Sequence, residues 1–163
     1  MQRHRVFPIM DPLTLLHYPL DTASLLQSAS NARLHAKPYT DSRYPNLKKE
    51  DWYIGRYTDE HIDKIMQDFE VTGSPRFYWL EPFANIPQHI DNGTQCSINL
   101  IITENPAPIT IEGVDYTYLQ ALLNTTLPHS VQNGASERIM LKISIFDETY
   151  ESLSERIKFK INA

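Results

Sequence analysis

From Ser74 onward the chain is a succession of short apolar runs broken by turn sequences, and this most limits the folds open to it. The runs cover residues 77–80, 97–103, 109–112, 116–124, 129–132 and 138–146, with breaks at Pro75, Asn92-Gly93, Asn105-Pro106, Glu112-Gly113 and Asn133-Gly134. Short strands at such spacing, with no helical pattern between them, predict an antiparallel sandwich or barrel rather than a parallel sheet with crossover helices. The expected fold is mainly β with some α: a double-stranded β-helix (jelly roll, cupin-like) with the N-terminal helices packed on its outside.

Alternation within two runs assigns their faces. In 97–103, Ile98, Leu100 and Ile102 form an outward set facing the helices, and Ser97, Asn99 and Ile101 face the interior. In 138–145, Ile139, Leu141, Ile143 and Ile145 form one apolar row, which leaves Arg138, Met140, Lys142 and Ser144 on the inner row. Cations there are costly unless an anion awaits them; otherwise Lys142 reaches to the rim and Arg138 pairs with an acidic neighbour.

Residues 1–72 read as a cap within a single domain of 163 residues, with 73–146 as the jelly-roll core and 147–163 as a C-terminal tail. The cap holds a short helix over 21–29, a polar loop over 37–46 that could serve as a substrate-facing lid, and a strand over 52–57. A second helix follows Thr58, where Ile62, Ile65, Met66 and Phe69 recur at helical spacing. Cys96 is the single cysteine and reads as a small buried hydrophobe, consistent with a reducing compartment. The basic start runs into Pro8, Asp11 and Pro12 rather than an apolar stretch, and no run approaches membrane-spanning length, so a cytoplasmic location is expected. A net charge of −5 argues against nucleic acid as a partner and leaves a small molecule or peptide as substrate.

His-Ile-Asp occurs twice, at His61-Ile62-Asp63 and at His89-Ile90-Asp91. The first copy lies in the second predicted helix, where residues two apart point to nearly opposite sides and cannot share an ion. The second lies in extended chain, where positions i and i+2 share a face. With His129 downstream, it offers two imidazoles and one carboxylate, a set that occupies one face of an octahedral Fe(II) and leaves the opposite face open. Arg138 then supplies a fixed fork for a distant carboxylate. His4, His17 and His35 have no convergent partners and read as ordinary surface residues; Tyr39, Arg43 and Tyr44 in the polar loop could touch a substrate.

The stretch from Phe77 to Phe146 resembles the Fe(II)- and 2-oxoglutarate-dependent oxygenase superfamily, most closely its aspartyl/asparaginyl beta-hydroxylase-like and small prolyl-hydroxylase-like groups. The resemblance rests on Pro87-Gln88-His89-Ile90-Asp91-Asn92, Cys96-Ser97-Ile98-Asn99-Leu100, an apolar segment ending in Pro128-His129-Ser130-Val131-Gln132-Asn133, and Glu137-Arg138-Ile139-Met140-Leu141. It implies that His89, Asp91 and His129 are iron ligands and that Arg138 partners the 2-oxoglutarate C5 carboxylate, with Asn99 and Tyr78 hydrogen-bonding the cosubstrate. It also implies the reaction: O2 and 2-oxoglutarate are consumed, succinate and CO2 are released, and a C–H bond of a peptide side chain, amino acid or small metabolite is hydroxylated. Some beta-hydroxylase-like members lack the acidic ligand that Asp91 supplies here. Residues 1–70 match no motif of the superfamily and are where substrate choice would be built. A cupin-like metal protein, acting as an isomerase or sensor, and a non-catalytic jelly-roll binding protein are the alternative readings.

Overall fold

The computed structural model describes residues 11–39 and 51–161. Two antiparallel sheets face one another. The larger is built from β1 (Leu13–Leu15), β2 (Lys37–Pro38), β3 (Trp52–Arg56), β4 (Ser74–Leu80), β6 (Cys96–Ile101), β9 (Gln120–Leu123) and β11 (Arg138–Ile145), in the order β1-β9-β6-β11-β4-β3-β2. The smaller contains β5 (Asn85–His89), β7 (Ile109–Ile111), β8 (Val114–Tyr116) and β10 (His129–Gln132), in the order β5-β10-β7-β8.

The alternation in β6 and β11 divides the apolar residues into two cores. On the outer face of the larger sheet, Ile98, Leu100, Leu141 and Ile143 pack with Phe77, Trp79 and Leu122. Helices α1 (Thr22–Arg33) and α2 (Glu60–Phe69) cover that face with Leu25, Ala29, Ile62, Ile65 and Phe69. Each helix starts where an aspartate accepts a backbone N–H of the first turn: Asp21 from Ser24 at 3.1 Å and Asp59 from Ile62 at 2.9 Å. At the other end of α1 the chain runs close over β3, since a Cβ on Gly55 would lie 3.2 Å from the Ala32 carbonyl oxygen. Between the sheets, Leu80, Ile86, Ile101, Ile109, Ile111, Leu123 and Val131 form the second core, which is incomplete on one side and leaves a cavity.

Three expectations are corrected. The predicted strand over 116–124 is two strands, β8 and β9, in different sheets, because alternation reports which way a side chain faces and not which neighbour its backbone joins. The segment 147–163, read as a tail, contains α3 (Tyr150–Arg156), whose Tyr150 and Leu153 enter the outer core together with Ile157. The helix expected over 21–29 continues to Arg33 because Ala32 is buried as well. The larger sheet also draws β1, β2 and β3 from the first third of the chain. The polar loop over 37–46 falls largely outside the described residues, as do His4, Arg43 and Tyr44. Among the described residues, no helix is long and apolar enough to cross a membrane.

Two consequences are measurable. Leu141 is fully buried between β4 and β6, so Leu141→Ala should lower stability by about 2–5 kcal/mol in a urea titration. Cys96 is 0% exposed, and burial, reinforced by Glu148, Glu151 and Asp147, pushes its thiol up to about 12. The native protein should therefore resist thiol alkylation at pH 8, and modification should appear only on unfolding.

Candidate metal centre and cosubstrate cavity

β5 and β10 bring the two histidines together. His89 and His129 are direct cross-strand partners, with a register shift just beyond, and their rings lie 4.4 Å apart between centroids. Asp91 follows β5, held by its backbone N–H donating to the Thr125 carbonyl at 3.2 Å. Its Oδ1 lies 3.3 Å from His89 Nε2 and 3.5 Å from His129 Nε2. One donor atom from each of the three falls within 4.8 Å of the others, the one such group of histidine, cysteine and acidic residues among the described residues.

Each imidazole is oriented by the backbone carbonyl two residues before it. His89 Nδ1 lies 2.7 Å from the Pro87 carbonyl oxygen, and His129 Nδ1 lies 2.8 Å from that of Leu127. A carbonyl only accepts, so each Nδ1 carries a proton, and each Nε2 faces Asp91, where it donates to the carboxylate when the ring is charged and offers a lone pair to a metal when the ring is neutral. That arrangement fixes ring plane and tautomer for metal binding.

The other Asp91 oxygen has a cation of its own: Lys142 Nζ donates to Oδ2 at 2.6 Å. Lys142 thus points inward rather than to the rim. Burial alone would raise the Asp91 carboxyl; hydrogen bonds from His129 and His89 and the Lys142 charge more than offset it and hold the group far below the usual carboxylate range. Because the folded value is depressed, this ionised cluster contributes its full stability above the ordinary carboxylate range, and that contribution fades only as pH falls through the folded value, in strong acid. For Lys142, burial lowers the ammonium, but Tyr78 and Asp91 outweigh it and the net shift is upward.

Breaking this pair has a definite cost. Lys142→Met leaves a buried carboxylate short of its cation, so the metal-free protein should lose about 3 kcal/mol of stability. Added Zn(II) should narrow that gap in urea titrations by giving Asp91 a new positive partner; equal destabilisation with and without metal would show that Lys142 does not act through Asp91.

The triad opens into a cavity of about 490 Å³ between the sheets. Arg138 starts β11, is 2% exposed and lines the cavity. Its Nη1 donates to the Ala107 carbonyl at 2.5 Å and its Nη2 to the Tyr118 hydroxyl at 3.2 Å, while its Nε–H has no acceptor. No carboxylate pairs with it among the described residues, which removes the acidic-neighbour reading. Asn99 Nδ2 also donates to the Tyr118 hydroxyl, at 3.0 Å, and Asn99 Oδ1 accepts from Ser97 Oγ at 2.9 Å. With two donors on its oxygen, Tyr118 has its own proton left for a ligand. Tyr78 lines the same space, its ring 5.6 Å from Lys142 Nζ.

All six candidates, His89, Asp91, His129, Arg138, Asn99 and Tyr78, therefore border one cavity. The first His-Ile-Asp copy does not converge: both residues lie in α2, and exposed Asp63 accepts from Thr58 Oγ1. His17 and His35 are exposed. Sequence reasoning missed Tyr118, hidden in the strand it had run together, and Trp52, a lining residue on which Tyr39 stacks at 4.1 Å between ring centroids.

No family model matches this chain, and no curated protein does. Solved structures do. A prolyl-4-hydroxylase from Pseudomonas putida superposes with a TM-score of 0.63 at 14% identity, over 82% of this chain and 91% of that one. The fold is a jelly roll. Two further jelly-roll neighbours are a viral collagen prolyl hydroxylase from Paramecium Bursaria Chlorella virus-1, in complex with 2OG, and the DMSP lyase DddQ from Ruegeria pomeroyi DSS-3. The first has a TM-score of 0.52 at 8% identity, covering 76% of this chain and 87% of that one. The second has a TM-score of 0.55 at 12% identity, covering 90% and 77%. Hydroxylases and a lyase share this jelly roll, so the reaction must be argued from the side chains.

Proposed function

We propose that this chain is an Fe(II)- and 2-oxoglutarate-dependent oxygenase that hydroxylates a C–H bond of its substrate. The observation that carries the reading is the donor set: Asp91 Oδ1 lies 3.3 and 3.5 Å from two Nε2 atoms whose rings are held by backbone carbonyls. Two imidazoles and one ionised carboxylate suit Fe(II) with coordination positions to spare. The fit extends to the cosubstrate, because the buried guanidinium of Arg138 keeps an unsatisfied Nε–H in the same cavity and pairs with no carboxylate among the described residues.

His89, Asp91 and His129 would hold the metal, which supplies the activation of O2 coupled to decarboxylation of the 2-oxo acid. Everything else is placement by this chain. Arg138 and the Tyr118 hydroxyl orient the far carboxylate of the cosubstrate, and Asn99 orients Tyr118. Lys142 occupies Asp91 Oδ2, which leaves Oδ1 as the donor facing the histidines. Leu80, Ile109, Ile111 and Val131 line the cavity with apolar surface and limit water around the reacting centre.

Incubation with Fe(II), ascorbate and 2-oxoglutarate should yield succinate even without a substrate, and a chelator should stop it. A cupin-like isomerase, a lyase or a non-catalytic binding protein would leave 2-oxoglutarate unconsumed.

A further inference from the structure

The charges lining the cavity do not balance. Arg76, Arg138 and Lys142 contribute three cations, and Asp91 is the one carboxylate that lines the cavity among the described residues. The chain as a whole carries a net charge of −5, so this positive surplus runs against its composition. A divalent metal would enlarge the surplus, and one dianionic cosubstrate would cancel only what the metal adds.

Position makes the surplus specific. Arg56 faces Arg76 across β3 and β4, and Arg76 faces Lys142 across β4 and β11, so three cations stand side by side in one cross-strand row. Like charges directly opposite one another in a sheet are destabilising. Lys142 is satisfied by Asp91. Neither Arg76 nor Arg56 has a carboxylate partner among the described residues, and the Nε–H of Arg76 is buried without an acceptor. The indole N–H of Trp52, which lines the same cavity, is also buried without one. Both line one cavity, with Trp52 opposite Leu80 and Arg76 four residues away along β4, so Trp52 can report on the space that Arg76 borders.

Arg76 is too far along the sheet to share the cosubstrate with Arg138. Register pairs Arg76 with Lys142 and Leu80 with Arg138, so the two arginines are separated by about 13 Å of strand, at ~3.3 Å per residue. A five-carbon diacid anchored at Arg138 and the triad does not extend to both.

We propose that the substrate carries an oxyanion, a carboxylate or a phosphate, that binds Arg76 while 2-oxoglutarate occupies Arg138. The substrate is thus a small acid or an acidic side chain and not a neutral prolyl segment. This inference rests on the oxygenase reading for the word substrate; the anion site itself does not.

The test uses Zn(II)-loaded protein saturated with 2-oxoglutarate, titrated with butyrate, glycerol 3-phosphate or uncharged butyramide. The indole N–H resonance of Trp52 is followed by NMR, with Trp79, buried on the opposite face of the sheet, as internal control. At least one anion should shift Trp52 saturably and leave Trp79 in place, and butyramide should not. Whichever anion binds more tightly separates carboxylate from phosphate. Arg76→Gln should weaken that anion about tenfold or more, and Arg76→Lys should restore much of the loss. Both variants should keep 2-oxoglutarate affinity within about twofold, because Arg138 is untouched. The proposal is overturned if butyramide binds as well as the anions, if neither anion binds, or if Arg76→Gln leaves anion affinity unchanged. Loss of 2-oxoglutarate binding in Arg76→Gln overturns it too, by placing the cosubstrate at Arg76. If 2-oxoglutarate fails to bind wild-type protein while an anion still binds through Arg76, the oxygenase reading falls and the anion site stands.

Discussion

Asp91→Ala is expected to reduce Fe(II)-dependent succinate formation to background. The substitution removes the only oxygen donor from the triad and strands Lys142 beside two imidazoles, so it weakens the metal site twice over. Loss of residues that merely orient ligands costs about 10–100-fold, and loss of a ligand should cost at least about 100-fold. His129→Ala should behave alike, since His129 contributes the second Nε2 and the Leu127 contact that aims it. His61→Ala is the control: it carries the other His-Ile-Asp sequence but lies in α2 outside the cavity lining. Succinate release measured across the three variants should separate them cleanly. Loss of activity in His61→Ala with retention in Asp91→Ala would mean that the wrong copy has been assigned.

Arg138→Ala is expected to fold, to keep its metal and to lose 2-oxoglutarate. The side chain is nearly fully buried, bridges the Ala107 carbonyl and the Tyr118 hydroxyl, and pairs with no carboxylate among the described residues. A charge-assisted hydrogen bond contributes roughly 1.5–3 kcal/mol, so losing a two-pronged contact should weaken binding by about 100-fold or more. Arg138→Lys keeps the charge but not the fork and should fall between the two. Calorimetry on Zn(II)-loaded protein reads this directly, and unchanged affinity in Arg138→Ala would remove Arg138 from the cosubstrate site.

Much of this architecture could be read from residues alone, because strand alternation is a strong signal wherever one face is dry. The inner row Arg138, Met140, Lys142, Ser144 of β11 and the pair Ser97, Asn99 of β6 do line the cavity, opposite the apolar rows that meet the helices. The distinction between the two His-Ile-Asp copies was legible for a similar reason, since a helix turns His61 and Asp63 to different sides, whereas His89 ends β5 and Asp91 lies just beyond it. What escaped depends on partners distant in sequence. Nothing local in Lys142 says that Asp91, on the facing side of the cavity, will draw it inward. Tyr118 sits where the chain passes from β8 in one sheet to β9 in the other, and unbroken alternation hides such a crossing. That Arg76 pairs with no carboxylate among the described residues appears only once those residues have places in space. The backbone carbonyls of Pro87 and Leu127 that hold the imidazoles carry no side-chain signature at all.

The central claim is that a divalent cation and Arg138 grip the two ends of one 2-oxo acid. It is tested most directly by titrating wild-type protein with 2-oxoglutarate in the presence and absence of Zn(II), by calorimetry. The account predicts a single site per chain whose affinity rises at least about tenfold when the metal is present. One-site binding of equal strength with and without metal, or no binding in either case, would contradict it.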